Sequence, residues 1–219
     1  MTGRFDPDFD ALPASLPIFP LTGVLLLPRG RLPLNIFEER YLAMTADALR
    51  AERLIGMVQP HEGAGDAGDP PVYRTGCAGR MVSFSETDDG RYLITLSGLA
   101  RFDIARELPR AQLYRRVMPE WQPYRGDLAP ATDTIDRARL LAALKPFLER
   151  QGVIADWPAV EATPDERLVT TVAMVAPFQP AEKQALLEAR DLAERARLLT
   201  ALVEMSVHGS AERAESARH

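Results

Sequence analysis

Residues 76–109 read GCAGRMVSFSETDDGRYLITLSGLARFDIARELP and contain two long β-patterned runs. Between the runs, residues 88–90 read Asp-Asp-Gly, which supplies the chemistry of a tight turn. The second run alternates in the manner of a strand, so that Leu93 and Ile94 point to opposite sides. The segment therefore predicts an antiparallel hairpin.

Further β-patterned segments lie on both sides of this hairpin. Residues 16–37 hold LPIF, GVLLL and RLPLNIF, which are broken by prolines and glycine and suit bent edge strands better than central ones. Residues 38–52 change to helical spacing and predict one amphipathic helix. LIGMVQ at 54–59 and LYRRVMPEW at 113–121 are typical of two more strands. Together these segments predict a small, mostly antiparallel and strongly bent sheet or barrel.

The pattern becomes helical after a proline- and charge-rich bridge that ends near Ala129. This change of period predicts a β subdomain over 16–128 and a helical bundle over 129–208. The polar ends at 1–15 and 209–219 are predicted to be flexible tails. The expected fold class is α+β, a bent antiparallel sheet or barrel followed by a carboxy-terminal helical bundle.

Local signals mark several helix boundaries in the second half. Pro146 lies inside the first helical pattern and predicts a kink or a division there. Thr163 and Glu166, with a proline between them, form the pattern of an N-cap hydroxyl and a reciprocal capping carboxylate. Asp191 with Glu194 three residues later predicts the start of the last helix.

Composition excludes several classes of protein. Lys and Arg number 26 against 31 Asp and Glu, a net charge of −5, which gives no general attraction to nucleic acid or anionic lipid. Cys77 is the only cysteine, so an internal disulfide and a Cys-rich zinc site are excluded. The amino terminus lacks the pattern of a secretory signal, and the apolar run at 24–27 is too short to span a bilayer. We therefore expect a cytoplasmic protein that does not enter a membrane.

The sequence offers no nucleotide-hydrolysing or peptidase motif. A P-loop needs a lysine after glycine, and a Ser-Lys dyad needs an accessible lysine. The chain has only two lysines, Lys145 and Lys183, and neither follows a glycine. Both fall in amphipathic helical patterns and are predicted to be solvent-exposed. Cys77 is predicted to be a small buried residue of a strand. We therefore expect no catalytic residue and no enzyme activity.

Metal and cofactor sites are not indicated either. The three histidines lack metal-ligand spacing: His61, His208 and His219. The acidic pairs at 38–39 and 88–89 suit the first turn of a helix and a hairpin turn. Three further acids in a Gly-rich loop lack the spaced ligands of a calcium loop and are interpreted as solvated: Glu62, Asp66 and Asp69. We expect no metal and no cofactor.

Five residues are the candidates for partner contact. Arg29 and Arg31 flank a glycine in a proline-rich bend, where arginine is well placed to recognise acidic or backbone groups. Phe37, Tyr41 and Tyr73 are the aromatic candidates, although aromatic residues at such spacing are more often part of the core.

Three separated motifs resemble the amino-terminal domain family of Lon-type proteases. They are LPIFPLTGVLLLPRGRLPLNIFEERYLAM at 16–44, the hairpin that ends in GLARFDI, and PFQPAEKQALLEARDLAERARLLTALVE at 177–204. The resemblance covers nearly the whole chain. It implies a bent barrel related to the PUA-like fold, followed by a helical bundle. It also implies recognition of unfolded polypeptide or a protein partner rather than catalysis.

In the full-length proteases of this family an ATPase module and a Ser-Lys peptidase follow the domain. The present sequence ends where they would begin, so we expect a stand-alone module that lacks both. The oligomeric state is left open.

Three hypotheses on function follow. The first is a noncatalytic polypeptide-binding or adaptor module. The second is an RNA-binding PUA-like protein, which would use three arginines at and before the 113–121 strand, Arg110, Arg115 and Arg116, with Tyr114 between them. The acidic net charge makes nucleic acid an unlikely partner. The third is a small-molecule enzyme, for which the sequence supplies no constellation of nucleophile, base and orienting group.

Overall fold

The computed structural model describes residues 7–61 and 69–216, apart from the side chains of 208–216. Its strands are β1 (Leu16–Pro20), β2 (Arg31–Ile36), β3 (Leu54–Val58), β4 (Thr75–Glu86), β5 (Tyr92–Glu107) and β6 (Arg116–Glu120). Its helices are α1 (Glu39–Arg50), α2 (Arg137–Arg150), α3 (Trp157–Ala162), α4 (Asp165–Val175), α5 (Pro180–Glu188) and α6 (Leu192–Ser216). The α+β class, with strands in the first half and helices in the second, is confirmed.

The strands form a closed and strongly bent sheet. Their order is β2-β5-β4-β3-β1-β6, and β6 also pairs with β5, so that five of the six strands close into a ring. The first half of β5 pairs with β2 and its second half with β6. Register shifts in the β4–β5 ladder, as at Ala78/Gly79, are the bulges that let so long a hairpin bend. The predicted hairpin and its turn at Gly90, which has φ of 80°, are confirmed.

β1 differs from the expected edge strand. It lies between β3, to which it is parallel, and β6. Its prolines are tolerated because each missing N–H falls where no ladder exists. Because the Ile18 N–H points to β6, the missing N–H of Pro17 would point to β3 and that of Pro20 to β6. The β1–β3 ladder begins only at Ile18, and the β1–β6 ladder has ended by Pro20, so neither proline removes a ladder hydrogen bond.

The GVLLL segment is also not a strand. Residues 21–30 form an irregular connection, and Leu25, Leu26 and Leu27 are buried in it. Pro20 and Pro28 bound the segment and limit strand pairing, while its leucines fill the core.

β2 is the edge strand, as predicted for the opening segments. The Gly98 N–H donates to the Gly30 carbonyl at 2.8 Å, so the alternation of an antiparallel pair turns positions 31, 33 and 35 away from β5. Pro33 therefore lacks its N–H on the open side of the sheet, where no partner strand needs it.

Helix boundaries follow the sequence with two differences. Asp191 lies before α6 and its Oδ1 accepts from Glu194 N–H at 2.8 Å, which confirms that start. Pro146 does not divide α2, since Ala142, whose carbonyl would have bonded to residue 146, lies on the exposed side. The Thr163 hydroxyl does not cap α4, because it donates to the Ala159 carbonyl of the preceding helix at 2.8 Å.

Part of the segment predicted as an amino-terminal tail lies against the sheet. Phe9–Ala11 forms a 3-10 turn, the Pro13 carbonyl accepts from the Trp121 indole at 3.0 Å, and the Ser15 hydroxyl binds Arg116. These contacts differ from the expected loose tail over residues 1–15. At the other end, α6 continues past Gly209 to Ser216.

The two halves of the chain share a core. The larger buried cluster contains Leu26 and Ile55 from the β half together with Leu144 and Leu199 from the helical half. A smaller cluster around Phe102 fills the ring of strands. The predicted boundary at residue 129 thus stays a proposal about chain organisation, while the packing is continuous across it.

Candidate functional site

The bend of residues 29–31 is held by backbone contacts with β5. Arg29 has φ of 62°, and its N–H donates to the Gly98 carbonyl at 2.8 Å. The Gly98 N–H returns a bond of 2.8 Å to the Gly30 carbonyl. A Cβ on Gly98 would lie 1.9 Å from the Leu27 carbonyl oxygen, so only glycine allows this approach. The bend at residues 29–31 and the Gly98 region of β5, which are distant in sequence, therefore hold each other in position.

The Arg29 side chain joins this bend to the helical half. Its Nε donates to Glu166 Oε1 at 2.7 Å, Nη2 binds the same oxygen, and Nη1 donates to the Asp127 carbonyl at 2.6 Å. Glu166, which the sequence predicted as a capping group of α4, thus serves as the counter-ion of Arg29. Arg29 is a positioning residue whose guanidinium is already engaged.

An open groove runs between the bend and the outer face of α4. Its volume is about 630 Å³. Met174 forms part of its floor and packs so closely on Gly30 that a Cβ there would lie 2.3 Å from the Met174 sulfur. Val175, which also lines the groove, is 78% exposed. The groove therefore offers apolar surface to solvent.

Two arginines line this groove without a counter-ion. Arg31 on β2 and Arg167 on α4 are exposed, and neither forms a salt bridge with another described residue. Apolar surface between unpaired guanidinium groups suits a polypeptide segment that presents an aliphatic side chain beside a carboxylate. We name this feature, lined by Arg31, Arg167, Met174 and Val175, the α4 groove.

The predicted partner-binding residues do not form one surface. Arg29 and Arg31 line the α4 groove. Phe37 lies just beyond the far end of β2 and is 65% exposed. Tyr41 is buried, with its ring 4.1 Å from that of Phe19, and burial raises its pKa. Tyr73 is half-buried against the His61 ring at 4.3 Å. Tyr41 is therefore a core residue, as its helical spacing also allowed.

Sequence reasoning missed Arg167, Met174 and Val175. The only signal was that Val175 falls outside the buried positions of α4, such as Leu168 and Ala173. This pattern cannot reveal which other segment faces the exposed residues.

Two of the three arginines proposed for RNA binding are neutralised by carboxylates, and the third, Arg116, donates to the Ser15 hydroxyl. Arg110 binds Asp69, and Arg115 donates twice to Glu107, at 2.8 Å each. Tyr114 is buried, and its hydroxyl donates to Asp47 at 2.9 Å. This region presents no row of unpaired cations beside an accessible aromatic ring, which is the arrangement that nucleic-acid binding favours.

Lys183 corrects the prediction of an exposed lysine. It is buried, its Nζ donates to the Gly23 carbonyl at 2.8 Å, and burial lowers its pKa. Lys145 is exposed, as predicted. Cys77 is buried within β4, and burial raises the pKa of its thiol. Lys183 thus forms a hydrogen bond from α5 to the connection at residues 21–30, and Cys77 packs inside the sheet.

The acidic loop predicted to be solvated falls partly within the described residues. Glu62 and Asp66 lie outside the described residues, whereas Asp69 pairs with Arg110. In the described part of the chain, no three His, Cys, Asp or Glu side chains come together as metal ligands would. Among the helices that the structure describes, none has the length and apolar character needed to cross a bilayer.

Comparison with known proteins gives a consistent result. A family model for the ATP-dependent protease La (LON) substrate-binding domain matches residues 15–204. A Lon protease of Anaeromyxobacter dehalogenans is 30% identical over 88% of the chain, and Lon protease 2 of Myxococcus xanthus is 27% identical over 88%. The chain spans about a quarter of these relatives, 23% and 24% of their length.

Solved structures agree with this assignment. The Lon N-terminal domain protein from Xanthomonas campestris has a TM-score of 0.61 and 25% identity, with 85% of this chain and 97% of that chain covered. The N-terminal domain of a Mycobacterium avium complex Lon protease has the same fold, with a TM-score of 0.61, 18% identity, and coverage of 86% and 97%. The chain therefore belongs to the LON substrate-binding domain family.

Proposed function

We propose that the chain is a noncatalytic polypeptide-binding module and that the α4 groove receives an extended segment of an unfolded or partner protein. The observation that carries the proposal is the apolar surface of the exposed Val175 and the half-buried Met174 beside two unpaired arginines, in a chain of a substrate-binding family.

The chemistry of the groove favours a mixed ligand. Burying one valine-sized side chain contributes about 1.5 kcal/mol, so the apolar contact alone supports weak binding. A carboxylate on the ligand adds charge-assisted hydrogen bonds to Arg31 or Arg167. Acidic segments that carry aliphatic residues are the expected ligands, and basic segments are disfavoured by like charge.

The apolar part of the proposal is tested with fluorescently labelled casein as the unfolded probe and anisotropy as the readout. Val175→Asp is expected to weaken binding roughly tenfold, the equivalent of about 1.4 kcal/mol. Ile154→Asp is the matched control, since Ile154 is fully exposed outside the groove, in the connection between α2 and α3. Equal binding by wild type and Val175→Asp would exclude the α4 groove.

The charged part is tested in the same assay. Arg167→Gln is expected to weaken binding several-fold and to reduce its dependence on salt. Arg197→Gln is the control, because Arg197 is an exposed helical arginine that does not line the groove. An equal loss in both variants would indicate a general charge effect and contradict a specific role of Arg167.

The noncatalytic character is part of the proposal. It is supported by the burial of Lys183 and Cys77, two of the residues that the sequence offered as nucleophiles or bases, whereas Lys145 is exposed. We expect the purified chain neither to hydrolyse ATP nor to cleave casein. Detectable turnover of either, lost on mutation of a residue of this chain, would contradict it. The stand-alone arrangement and the cytoplasmic location stay predictions from the sequence.

A further inference from the structure

A second cavity lies where the strand ring meets the helical bundle. It has a volume of about 200 Å³ and shares Arg29, Glu166 and Thr170 with the lining of the α4 groove. Its wall contains four arginines from different parts of the chain: Arg29, Arg101, Arg190 and Arg195. We call it the junction cleft. Its dimensions suit a small ion or a single terminal group.

Three of the four arginines are paired. The pairs are Arg29 with Glu166, Arg101 with Asp127, and Arg190 with Asp191. The donors of Arg101 are fully used, since those not bound to Asp127 bind carbonyl oxygens around the end of α5. These three arginines need no further anion.

Arg195 is different. It is 7% exposed, and its Nε and Nη2 donate to the carbonyls of Leu186 and Ala189 at 2.9 and 3.4 Å, which caps the end of α5. This structural role leaves Nη1 unused. No described residue is a hydrogen-bond partner of Nη1. Every fully enclosed side-chain polar atom of the described residues does have a partner, so Nη1 is not fully enclosed. Nη1 is therefore open to the cleft that Arg195 lines.

Arg195 has no ion-pair partner of its own, and the nearby charge of Asp127 offsets only part of the effect of burial on its pKa. Burial, and next the charge of Arg101, lower its pKa to about 10, so it remains protonated at neutral pH. No carboxylate of the described residues forms a salt bridge with it. A buried cation without a counter-ion is costly, and a bound anion would relieve that cost. Three of the four acids that line the cleft are paired with arginines, whereas Asp133 is exposed, forms no salt bridge with a described residue and opposes an incoming anion.

We propose that the junction cleft binds a small oxyanion at Nη1 of Arg195. The shared chemistry is a phosphate or carboxylate group that accepts hydrogen bonds from a guanidinium. Its source is either free inorganic phosphate or the terminal carboxylate of a peptide, and the cavity volume admits both. The proposal does not depend on the α4 groove, so binding of casein there can fail while the cleft still binds its anion.

The test is isothermal titration calorimetry of the full chain at constant ionic strength. The probes are inorganic phosphate, an N-acetylated dipeptide with a free carboxylate, and the same dipeptide amidated. Saturable binding of phosphate or of the free acid, but not of the amide, is expected, and the better of the two identifies the source.

Two variants locate the ion. Arg195→Gln, with folding checked by circular dichroism, is expected to weaken binding by about tenfold or more, as loss of a charge-assisted bond implies. Asp133→Asn lies on the exposed connection before α2 and is expected to tighten binding roughly threefold by removing a like charge. If Arg195→Gln does not fold, the Asp133 variant decides the matter. Absence of binding in wild type, or binding that Asp133→Asn does not tighten, would overturn the proposal.

Discussion

Gly98 links two features of the structure, the bend at residues 29–31 and the long strand β5. Because a Cβ there would meet the Leu27 carbonyl at 1.9 Å, Gly98→Ala must displace backbone rather than a flexible side chain. We expect a loss of at least about 2 kcal/mol in the free energy of unfolding, measured by urea denaturation. Gly126→Ala is the control and should change stability by less than about 1 kcal/mol, since nothing lies within 4 Å of its Cβ position. Equal effects would contradict this view of the bend.

The Arg101–Asp127 pair is the main buried ion pair of the junction, with side chains 5% and 12% exposed. Asp127 accepts from both the side chain and the backbone N–H of Arg101. Asp127→Asn leaves the arginine charge buried without its counter-ion, which should cost about 3–5 kcal/mol. Arg139→Gln breaks an exposed pair and should cost far less, because solvent screens such pairs. Thermal and urea denaturation measure both, and similar losses would contradict the expected difference.

Lys183 predicts a pH dependence with a definite sign. Its folded-state pKa lies below the ordinary value of 10.5 because of burial. As the pH rises toward 10.5 the folded state releases its proton first, so the unfolded state holds more protons and stability increases. The stability of wild type minus that of Lys183→Met should therefore rise over this interval and then level off. The subtraction removes the tyrosine titrations that both proteins share. A flat or falling difference in urea denaturation would be inconsistent with a buried lysine.

At the scale of elements, local patterns were sufficient for the hairpin, for β2 and for the start of α6. Each depends on residues close in sequence, such as the turn at 88–90 or the Asp191–Glu194 pair. The central position of β1 and the buried loop around Leu26 could not be predicted, because both are set by strands that arrive later in the chain. The burial of Lys183 could not be predicted from local sequence either, because its hydrogen-bond partner Gly23 is 160 residues away.

Pro33 protects the open edge of β2. Its missing N–H faces away from β5, so a second chain that paired with this edge would lose a hydrogen bond. Pro33→Val should increase self-association relative to wild type in sedimentation velocity. Pro33→Lys also restores the N–H but places a charge on the edge, and it should behave like wild type. Association of both variants, or of neither, would contradict the assignment.

At the scale of the whole molecule, both proposed sites lie at contacts between the two halves of the chain. The α4 groove combines the bend at Arg31 with α4, and the junction cleft combines Arg101 of β5 with Arg195 of α6. The sequence identified Arg29 and Arg31 because an arginine bend is a local feature. It could not identify Arg167 or Arg195, whose role depends on how the bundle packs against the strands.

Shared packing predicts that the two halves unfold together. The larger core cluster crosses residue 129, and Arg101 ties β5 to the end of α5. In a Trp157→Phe background, fluorescence reports Trp121, which packs on Phe102 in the strand ring, and far-ultraviolet circular dichroism reports mainly the helices. The two urea transitions should coincide within error, as a two-state protein requires. Separate midpoints would mean that the β and helical subdomains are independent folding units, and that the junction cleft is a contact between domains instead of part of a single core.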